Sequence, residues 1–252
     1  MIKERIRPSQ QIYNNYTEED FYVWKTLFNR QHELLSKHAS EDFIKSLEVI
    51  GFSAEKIPDF AEVNNRLKSL TGWQLNVVPC ISPVDIFFEL LSKRTFTATC
   101  WLRSISELDY LEEPDMFHDV FGHAPLLTNV DYDVFFKTLA DLAMRYITNH
   151  AVIKMLQRLY WFTIEFGLIH ENNKVKIYGA GIASSRGEVM NALNHRANKR
   201  SFNVIEIMHH QFRTDVIQEQ YYVIESFEQL KDSIAEIEEE IIRVLNKMVQ
   251  HI

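Results

Sequence analysis

The sequence predicts a mainly α-helical protein, a single helical domain with a few short β-strands. Only seven glycines and six prolines occur among 252 residues, which leaves few turns and favours long helices. Hydrophobic residues make up 46% of the chain and aromatic residues 12%, enough for a sizeable core. No internal repeat or convincing linker divides the sequence, so one large domain is the simplest arrangement.

Helix start and stop signals place the elements of the first half of the chain. Thr17, followed by acidic residues at 18–20, starts a helix to about His38, because the helix dipole favours carboxylates in its first turn. Ser40 caps a second helix, and Gly51 ends it. The other elements of this half are a third helix after Pro58, a strand at 73–79 beyond a break at Gly72, a helix at 85–92 and a strand at 96–102.

The second half of the chain is also mainly helical, and it ends in one long helix from Phe227. Helices are expected at 134–147, 153–169, 185–193 and 204–210, and strands at 174–178 and 221–224. Apolar residues of the last helix are spaced by fours and threes, which resembles a coiled-coil seam. They are Leu230, Ile234, Ile237, Ile241, Val244 and Met248. We expect this helix to pack on its own domain in a monomer, with a dimer through it as the alternative.

Composition excludes several functional classes. The formal net charge of −8 argues against a nucleic-acid-binding protein, which normally carries a basic patch. No run approaches the roughly 18 apolar residues of a membrane span, and the N-terminus lacks the apolar stretch of a signal peptide. Cys80 and Cys100 have no metal-motif spacing and indicate free thiols in a reducing compartment. We therefore expect a cytoplasmic protein that binds a small molecule.

Residues 114–125 carry the most specific chemical signal, two histidines five residues apart. On a regular α-helix His118 and His123 would lie about 140° apart, so one unbroken helix could not direct both to one ion. Gly122 can leave the helical region and Pro125 cannot continue a helix. We therefore expect His118 on the last helical turns and His123 at or beyond the helix end.

Glu165 is the candidate third ligand. It lies in the strongly apolar segment 159–168, where a buried carboxylate is costly unless it is paired or binds a metal. Two histidines and one carboxylate form the facial triad of non-heme Fe(II) sites. Trp161, four residues earlier, would share the helix face of Glu165 and wall a pocket beside the ion.

Other interpretations of these residues remain open at this point. Glu165 could instead form a buried ion pair with Arg145 or Arg158, and His209 and His210 fit a solvated helix end. A zinc hydrolase or a non-catalytic metal-binding protein is a further alternative, since zinc sites also use His and Glu ligands.

Further motifs accompany the histidine segment in a fixed order. They are Thr71-Gly72-Trp73, Phe87-Phe88, Trp101-Leu102-Arg103, the segments 160–168 and 178–181, Ser184-Ser185, Gln218 and Tyr221-Tyr222-Val223. Together with residues 109–127, they resemble the aromatic amino acid hydroxylases over about residues 16–230. The resemblance is strongest to bacterial members that act on phenylalanine. It implies an extension at 1–15, a catalytic domain at 16–228 and a C-terminal helix at 229–252.

The resemblance also implies a reaction and a role for individual residues. The reaction is the conversion of phenylalanine to tyrosine by Fe(II), O₂ and tetrahydrobiopterin or a related reduced pterin. The implied iron ligands are His118, His123 and Glu165. The implied substrate residues are Arg103, which would bind the carboxylate through two hydrogen bonds, Pro114, Trp161 and Phe166 around the ring, Ser184, Ser185 and Thr214. The implied pterin residues are Ile81, Ser82, Phe87, Asp119 and Tyr160.

Four residues depart from the family pattern. They are Cys80 in the pterin loop, Leu111 near the substrate, Arg186 after the two serines, and Thr214 at a position linked to the choice of ring. These departures leave the iron ligands in place. They keep open a different product of the same chemistry, through phenylalanine 3-hydroxylation or tryptophan hydroxylation.

Overall fold

Helices account for most of the fold, which confirms the predicted fold class. The structure, a computed structural model, describes residues 6–109 and 111–249, without the side chains of Met248 and Val249. The α-helices are α1 (Glu18–His38), α2 (Glu41–Ile50), α3 (Phe60–Leu70), α4 (Val84–Ser92), α5 (Val130–Arg145), α6 (His150–Tyr160), α7 (Ala180–Ala183), α8 (Arg186–Leu193), α9 (Val204–His209), α10 (Phe227–Asp232) and α11 (Ile234–Val249). Short 3₁₀ helices span Tyr13–Asn15, Ile105–Glu107 and Pro125–Thr128, and π-helices span Phe117–His123 and Trp161–Glu165.

The first two helices begin and end where the sequence predicts. Thr17 accepts a hydrogen bond from the backbone N–H of Asp20, whose side chain bonds back to the Thr17 N–H. Ser40 likewise accepts from the N–H of Phe43, and Gly51 ends α2 with a φ of 73°. These caps depend on residues within one turn, so the local sequence is sufficient to predict them.

The strands form two small sheets. They are β1 (Gln74–Val77), β2 (Thr95–Ala98), β3 (Gly167–Glu171), β4 (Lys174–Ile177), β5 (Asn198–Ser201) and β6 (Gln220–Ile224). Strands β1 and β2 pair in parallel, with Gln74 opposite Thr95. The larger sheet has the order β4-β3-β6-β5, in which β3 runs antiparallel to β4 and parallel to β6. The polar, exposed edge strand β5 lacks an apolar alternation, so the sequence pattern did not reveal it.

Two helix predictions in the second half were wrong in extent. The helix expected at 153–169 ends at Tyr160, and after the second π-helix the chain enters β3 at Gly167. Gly167 pairs with Tyr222 of β6, and this pairing replaces the helical continuation. The helix from Phe227 is also interrupted, at Ser233, whose hydroxyl donates to the carbonyl of Leu230. The strand expected at 96–102 ends at Ala98.

The two ends of the chain pack on the domain as far as they are described. Gln11 and Tyr13 hydrogen-bond to the carbonyls of Pro58 and Ile57, while residues 1–5 lie outside the described range. In the terminal seam, Leu230, Ile237 and Ile241 are at most 1% exposed, and the side chain of Met248 is not described. The seam therefore faces the chain's own core. No helix among the described residues is long and apolar enough to cross a membrane.

A buried polar cluster joins the residues just before β1 and β2 to α5. The indole N–H of Trp73 donates to Asp133 at 2.6 Å, and Arg94 donates from Nε and Nη2 to the same carboxylate, both at 3.0 Å. Asp133 is 5% exposed. Trp73 also stacks on Phe136 with ring centroids 5.2 Å apart. Asp133 thus fixes the start of β1 and the start of β2 against the N-terminal half of α5.

Replacing Asp133 by alanine should lower the free energy of unfolding by about 2–3 kcal/mol, since it leaves a buried indole N–H and a half-buried guanidinium without their acceptor. Denaturant unfolding measures this. Asp141→Ala, on the same helix, is the control, because it removes only an exposed ion pair with Lys137 and should cost less than about 1 kcal/mol. Equal losses in the two variants would contradict the assignment.

Candidate active site

The first π-helix, Phe117–His123, carries both histidines of the predicted metal site. Its i→i+5 repeat widens the turn, so residues five apart lie closer to the same face than in an α-helix. The imidazole rings of His118 and His123 are accordingly 5.1 Å apart between centroids. His123 is the last residue of this helix, as expected, but the expected break at Gly122 was wrong, because the widened turn runs through it.

Gly122 has a different role from the predicted one. A Cβ atom at this position would lie 2.9 Å from the carbonyl oxygen of Ala180, closer than such atoms approach. The glycine therefore allows the first π-helix to contact the backbone of α7. Pro125 begins the following 3₁₀ turn, where its missing N–H costs nothing.

The second π-helix, Trp161–Glu165, positions the carboxylate. Its last turn is closed by a hydrogen bond from the N–H of Phe166 to the carbonyl of Trp161, at 2.9 Å and five residues apart. The same spacing pairs the hydroxyl of Tyr160 with Glu165, and the ring of Trp161 with that of Phe166 at 4.6 Å. Trp161 contacts Phe166, the residue that follows Glu165, and its position on the helix face of Glu165 stays a prediction.

His118, His123 and Glu165 form one compact cluster. His123 Nε2 lies 3.1 Å from Glu165 Oε1, and His118 Nε2 lies 3.7 Å from Oε2. One nitrogen or oxygen from each residue falls within 4.8 Å of the others, a spacing that a single metal ion can bridge. The three side chains come from two separate helices, as the sequence predicts.

The alternative partners of Glu165 are engaged elsewhere. Arg145 forms an ion pair with Glu238, and Arg158 donates to the carbonyl of Met208. The prediction for the two later histidines also needs correction. His209 bonds to Glu240 and His210 to the hydroxyl of Tyr222, both at 2.7 Å, so they are partnered rather than simply solvated.

The protonation states of the cluster suit a divalent cation. Burial lowers the pKa of His118 to about 4, although the nearby Glu165 carboxylate opposes this, so the ring is neutral near pH 7. Burial would raise the pKa of Glu165, but the charge and hydrogen bond of His123 outweigh it and bring the pKa to about 2. A neutral imidazole and an ionised carboxylate are the forms that bind metals.

Ser184 determines which nitrogen of His118 faces the cluster. Its hydroxyl donates to the carbonyl of Ala180 at 2.8 Å, so it accepts from His118 Nδ1 at 2.9 Å. This assignment leaves the lone pair of Nε2 directed at the cluster, as in metal sites where a second partner orients the histidine. In the described chain, His123 Nδ1 is buried and has no hydrogen-bond partner. Nε2, which lies 3.1 Å from Glu165 Oε1, is the nitrogen that would bind a cation held between the two residues.

Glycine also allows the carboxylate to sit against α7. A Cβ on Gly181 would lie 3.2 Å from Glu165 Oε2 and 2.9 Å from the ring of Phe166. The turn that carries Ser184 is held from the other side by Gln31, a buried residue of α1 that donates to the carbonyl of Ala183 at 2.6 Å. The backbone of 180–184 is therefore packed between the two π-helices and α1.

Arg103 lies beside the histidines in a paired state. Its Nε and Nη2 donate to the two oxygens of Asp115, each at 2.9 Å, and Asp115 is fully buried. Burial would lower the pKa of Arg103, but Asp115 raises it above its ordinary value, so the guanidinium stays charged. The guanidinium that was expected to bind a substrate carboxylate thus already binds Asp115 through Nε and Nη2. Only its Nη1 side remains for a substrate. Sequence reasoning missed Asp115, although an acid three residues before His118 was a usable signal.

Aromatic side chains flank the cluster on two sides. On one side, Phe96 lies 4.7 Å from the His123 ring, and Phe87 contacts Tyr160 at 5.5 Å. The preceding loop carries Ile81, which is 69% exposed, and the half-buried Ser82. Of the predicted pterin residues, Phe87 and Tyr160 therefore lie close to His123, whereas the roles of Ile81 and Ser82 stay predictions. Asp119 accepts hydrogen bonds from Thr99 on its interior side, and burial raises its pKa to about 7.

On the other side, Trp161 lies between two rings. Its centroid is 4.6 Å from Phe166 and also 4.6 Å from Phe212, on which it stacks. Thr214 is exposed in the same segment as Phe212, and Pro114 is half-buried. Ser185 accepts from the N–H of Glu188 as the N-cap of α8, so the two adjacent serines have separate tasks.

Ser184→Ala should weaken the affinity for Fe(II) or Co(II) by about 10- to 100-fold, because it removes the partner that orients His118. Ser185→Ala is the matched control. It should retain the metal affinity and cost about 1 kcal/mol of stability through the lost helix cap. Anaerobic metal titration and thermal unfolding separate these effects, and equal metal affinities in the two variants would contradict the assignment.

The comparison with known proteins agrees with this geometry. A profile of the family described as "Biopterin-dependent aromatic amino acid hydroxylase" matches residues 5–250. The chain is 41% identical over 234 residues to phenylalanine-4-hydroxylase of Ralstonia nicotianae, covering 91% of this chain and 74% of the relative. It is 42% identical over 223 residues to the Chromobacterium violaceum enzyme, covering 88% and 75%.

Solved structures of phenylalanine hydroxylase from Chromobacterium violaceum have the same fold. The cobalt-bound structure matches with a TM-score of 0.86 and 42% identity, over 89% of this chain and 81% of that one. The structure with bound iron(III) and oxidised 7,8-dihydrobiopterin matches with a TM-score of 0.85 and 40% identity, over 91% and 84%. The chain therefore belongs to the family of biopterin-dependent aromatic amino acid hydroxylases.

Proposed function

We propose that this protein is a pterin-dependent, non-heme iron(II) monooxygenase that converts L-phenylalanine to L-tyrosine. The observation that carries the proposal is the cluster of His118, His123 and Glu165, held on two π-helices in a chain similar to phenylalanine-4-hydroxylases. When bound, iron(II) and tetrahydrobiopterin supply the activation of O₂, of which one atom enters the ring and the other leaves on the pterin. The protein's own residues bind and orient the reactants.

The three ligands would hold the metal on one side only. Two nitrogens and one carboxylate occupy one face of the ion, which leaves its other positions open. Ser184 keeps Nε2 of His118 available, and the nearby hydroxyl of Tyr160 favours the ionised form of Glu165 by lowering its pKa. Such outer partners raise metal affinity by fixing ligand orientation before the ion binds.

Arg103 would bind the carboxylate of the amino acid through its Nη1 edge. Asp115 holds the guanidinium from behind in a two-point contact, so the free edge has a fixed direction. The ring of the substrate would then lie among Pro114, Trp161 and Phe166. The Ser184–Ser185 turn would lie beside its α-amino and carboxylate groups. Aromatic walls bind a ring by apolar contact and exclude water from the reacting carbon.

The pterin would bind on the opposite rim. Phe87 is half-buried and keeps a ring edge near Tyr160, a position from which it can stack on a planar heterocycle. Ile81 and Ser82 lie on the loop before α4, and Asp119 is a buried residue that follows His118 in the chain. In this proposal the two organic reactants bind on different sides of the metal cluster.

Ring selectivity has a second candidate outcome. Thr214 is exposed on the segment that packs on Trp161 through Phe212, and Arg186 is the first residue of α8 after the two serines. These residues favour, as the alternative, hydroxylation of tryptophan or of another carbon of phenylalanine. We also propose a cytoplasmic monomer, supported by two free cysteines and by the burial of the terminal seam in its own domain.

Purified protein supplied with Fe(II), tetrahydrobiopterin, O₂ and phenylalanine should form tyrosine, identified by mass spectrometry of the products. A panel of phenylalanine, tyrosine and tryptophan decides the preferred ring and carbon. Glu165→Gln should bind iron weakly and lose most activity. Absence of any hydroxylated amino acid would overturn the proposal, and zinc rather than iron in protein prepared without added metal would favour a hydrolase.

Arg103→Lys should raise the KM for phenylalanine about tenfold or more, since an ammonium cannot supply a planar fork to Asp115 and the substrate together. The KM for tetrahydrobiopterin should stay near the wild-type value. Arg30→Lys is the matched control, because Arg30 forms only an exposed ion pair with Asp109. An unchanged KM for phenylalanine would remove Arg103 from the substrate site.

A further inference from the structure

Glu188 of α8 is a buried carboxylate that the proposed reaction does not use. It is 8% exposed, and in the described part of the chain its hydrogen-bond partners are neutral. The hydroxyl of Tyr221 donates to Oε2 at 2.7 Å, and the backbone N–H of Gln218 donates to Oε1 at 3.1 Å. Among the described residues no cation compensates this carboxylate, and burial raises its pKa above the ordinary value.

Gln218 extends this contact to the wall of the ring pocket. It is 6% exposed, and its Oε1 accepts the indole N–H of Trp161 at 2.8 Å. Its Nε2 donates to the carbonyls of Arg213 at 3.1 Å and Val216 at 3.4 Å. One side chain therefore ties Trp161 to both ends of segment 213–216, which includes Thr214.

Asn191 closes the network into a ring. Its Nδ2 donates to the carbonyl of Gln218 at 2.8 Å and to the hydroxyl of Tyr221 at 2.7 Å. Gln218 is thus held at its N–H by Glu188, at its carbonyl by Asn191 and at its side chain by the segment it organises. A glutamine fixed at these points has little freedom to move away from Trp161.

Burying the Glu188 carboxylate costs free energy, which indicates that the network serves to fix the arrangement of the groups that it joins. A buried carboxylate with only neutral donors is less favourable than an apolar side chain of the same size. Fully hydrogen-bonded buried networks, however, specify one arrangement of the groups that they join. Here the joined groups are α8, β6 and the ring of Trp161, which stacks on Phe212 and contacts Phe166.

We propose that Glu188 and Gln218 are positioning residues that fix Trp161 and segment 213–216, and so set which aromatic ring the site accepts. The inference about selectivity rests on the proposed function, since it takes Trp161 as a wall of the substrate pocket. The positioning of Trp161 itself rests only on the network.

The test uses three variants and one control in the full-length, iron-loaded protein. Glu188→Met removes both acceptors at nearly constant size, and Gln218→Met removes the acceptor of Trp161. Glu188→Gln keeps an oxygen for the N–H of Gln218 and is the conservative rescue. Glu219→Met makes the same change at an exposed glutamate beside Gln218 and should behave as wild type.

Both methionine variants should raise the KM for phenylalanine about tenfold. They should also lower the preference for phenylalanine over tryptophan by a similar factor, because a tenfold change corresponds to the loss of one buried hydrogen bond. The kcat should change by less than about threefold, because the metal ligands are untouched. Iron affinity should stay at the wild-type value. Glu188→Gln should recover most of the preference.

The fluorescence of Trp161 gives a readout that is independent of turnover. It is obtained by subtracting the emission of Trp161→Phe, and it should shift in both methionine variants and stay unchanged in Glu188→Gln and Glu219→Met. Wild-type emission and ring preference in both methionine variants would overturn the proposal, as would a fall of kcat and iron affinity without a change in preference. If the wild type hydroxylates no aromatic amino acid, the proposed function fails, and the emission still decides whether the network positions Trp161.

Discussion

The i→i+5 hydrogen bonding of two short π-helices is the constraint on which the site depends. On a regular α-helix His118 and His123 would point about 140° apart, and Glu165 would not face Tyr160. The widened turn brings each pair together within a single helix, so the ligands are held by rigid elements rather than by loops. A π-turn is a rare and strained insertion, and packing against neighbouring backbone has to support it.

Backbone contacts at glycine provide that support. Gly122 and Gly181 let the two π-helices approach α7, where a methyl group would collide with the carbonyl oxygen of Ala180 or with the ring of Phe166. The same stretch of α7 leads into Ser184, which orients His118. One four-residue helix therefore spaces both π-helices and sets the direction of a ligand, which couples the packing of the centre to its chemistry.

The sequence was sufficient wherever structure depends on neighbours in the chain. Caps at Thr17 and Ser40 and the stop at Gly51 follow from one turn of sequence, and α1 and α2 begin and end where they were predicted. The π-turns were not predictable, because the same apolar pattern fits an α-helix, and the choice between them depends on contacts with α7. The ligand set was recognisable from residue types and from the family resemblance. Asp115 and Glu188 were missed, since a carboxylate's burial depends on partners distant in the chain.

Three buried carboxylates near the centre have different roles because their partners differ. Glu165 faces two imidazoles and a phenol, which keep it ionised with its oxygens turned toward a shared point. Asp115 is matched by a guanidinium, so its charge is neutralised and serves to fix the direction of Arg103. Glu188 has only neutral donors among the described residues, so burial raises its pKa, and its contacts serve to fix the position of Gln218. The same functional group thus has the proposed role of metal ligand in Glu165 and of anchor in Glu188, and it is a counter-ion in Asp115, according to the partners that surround it.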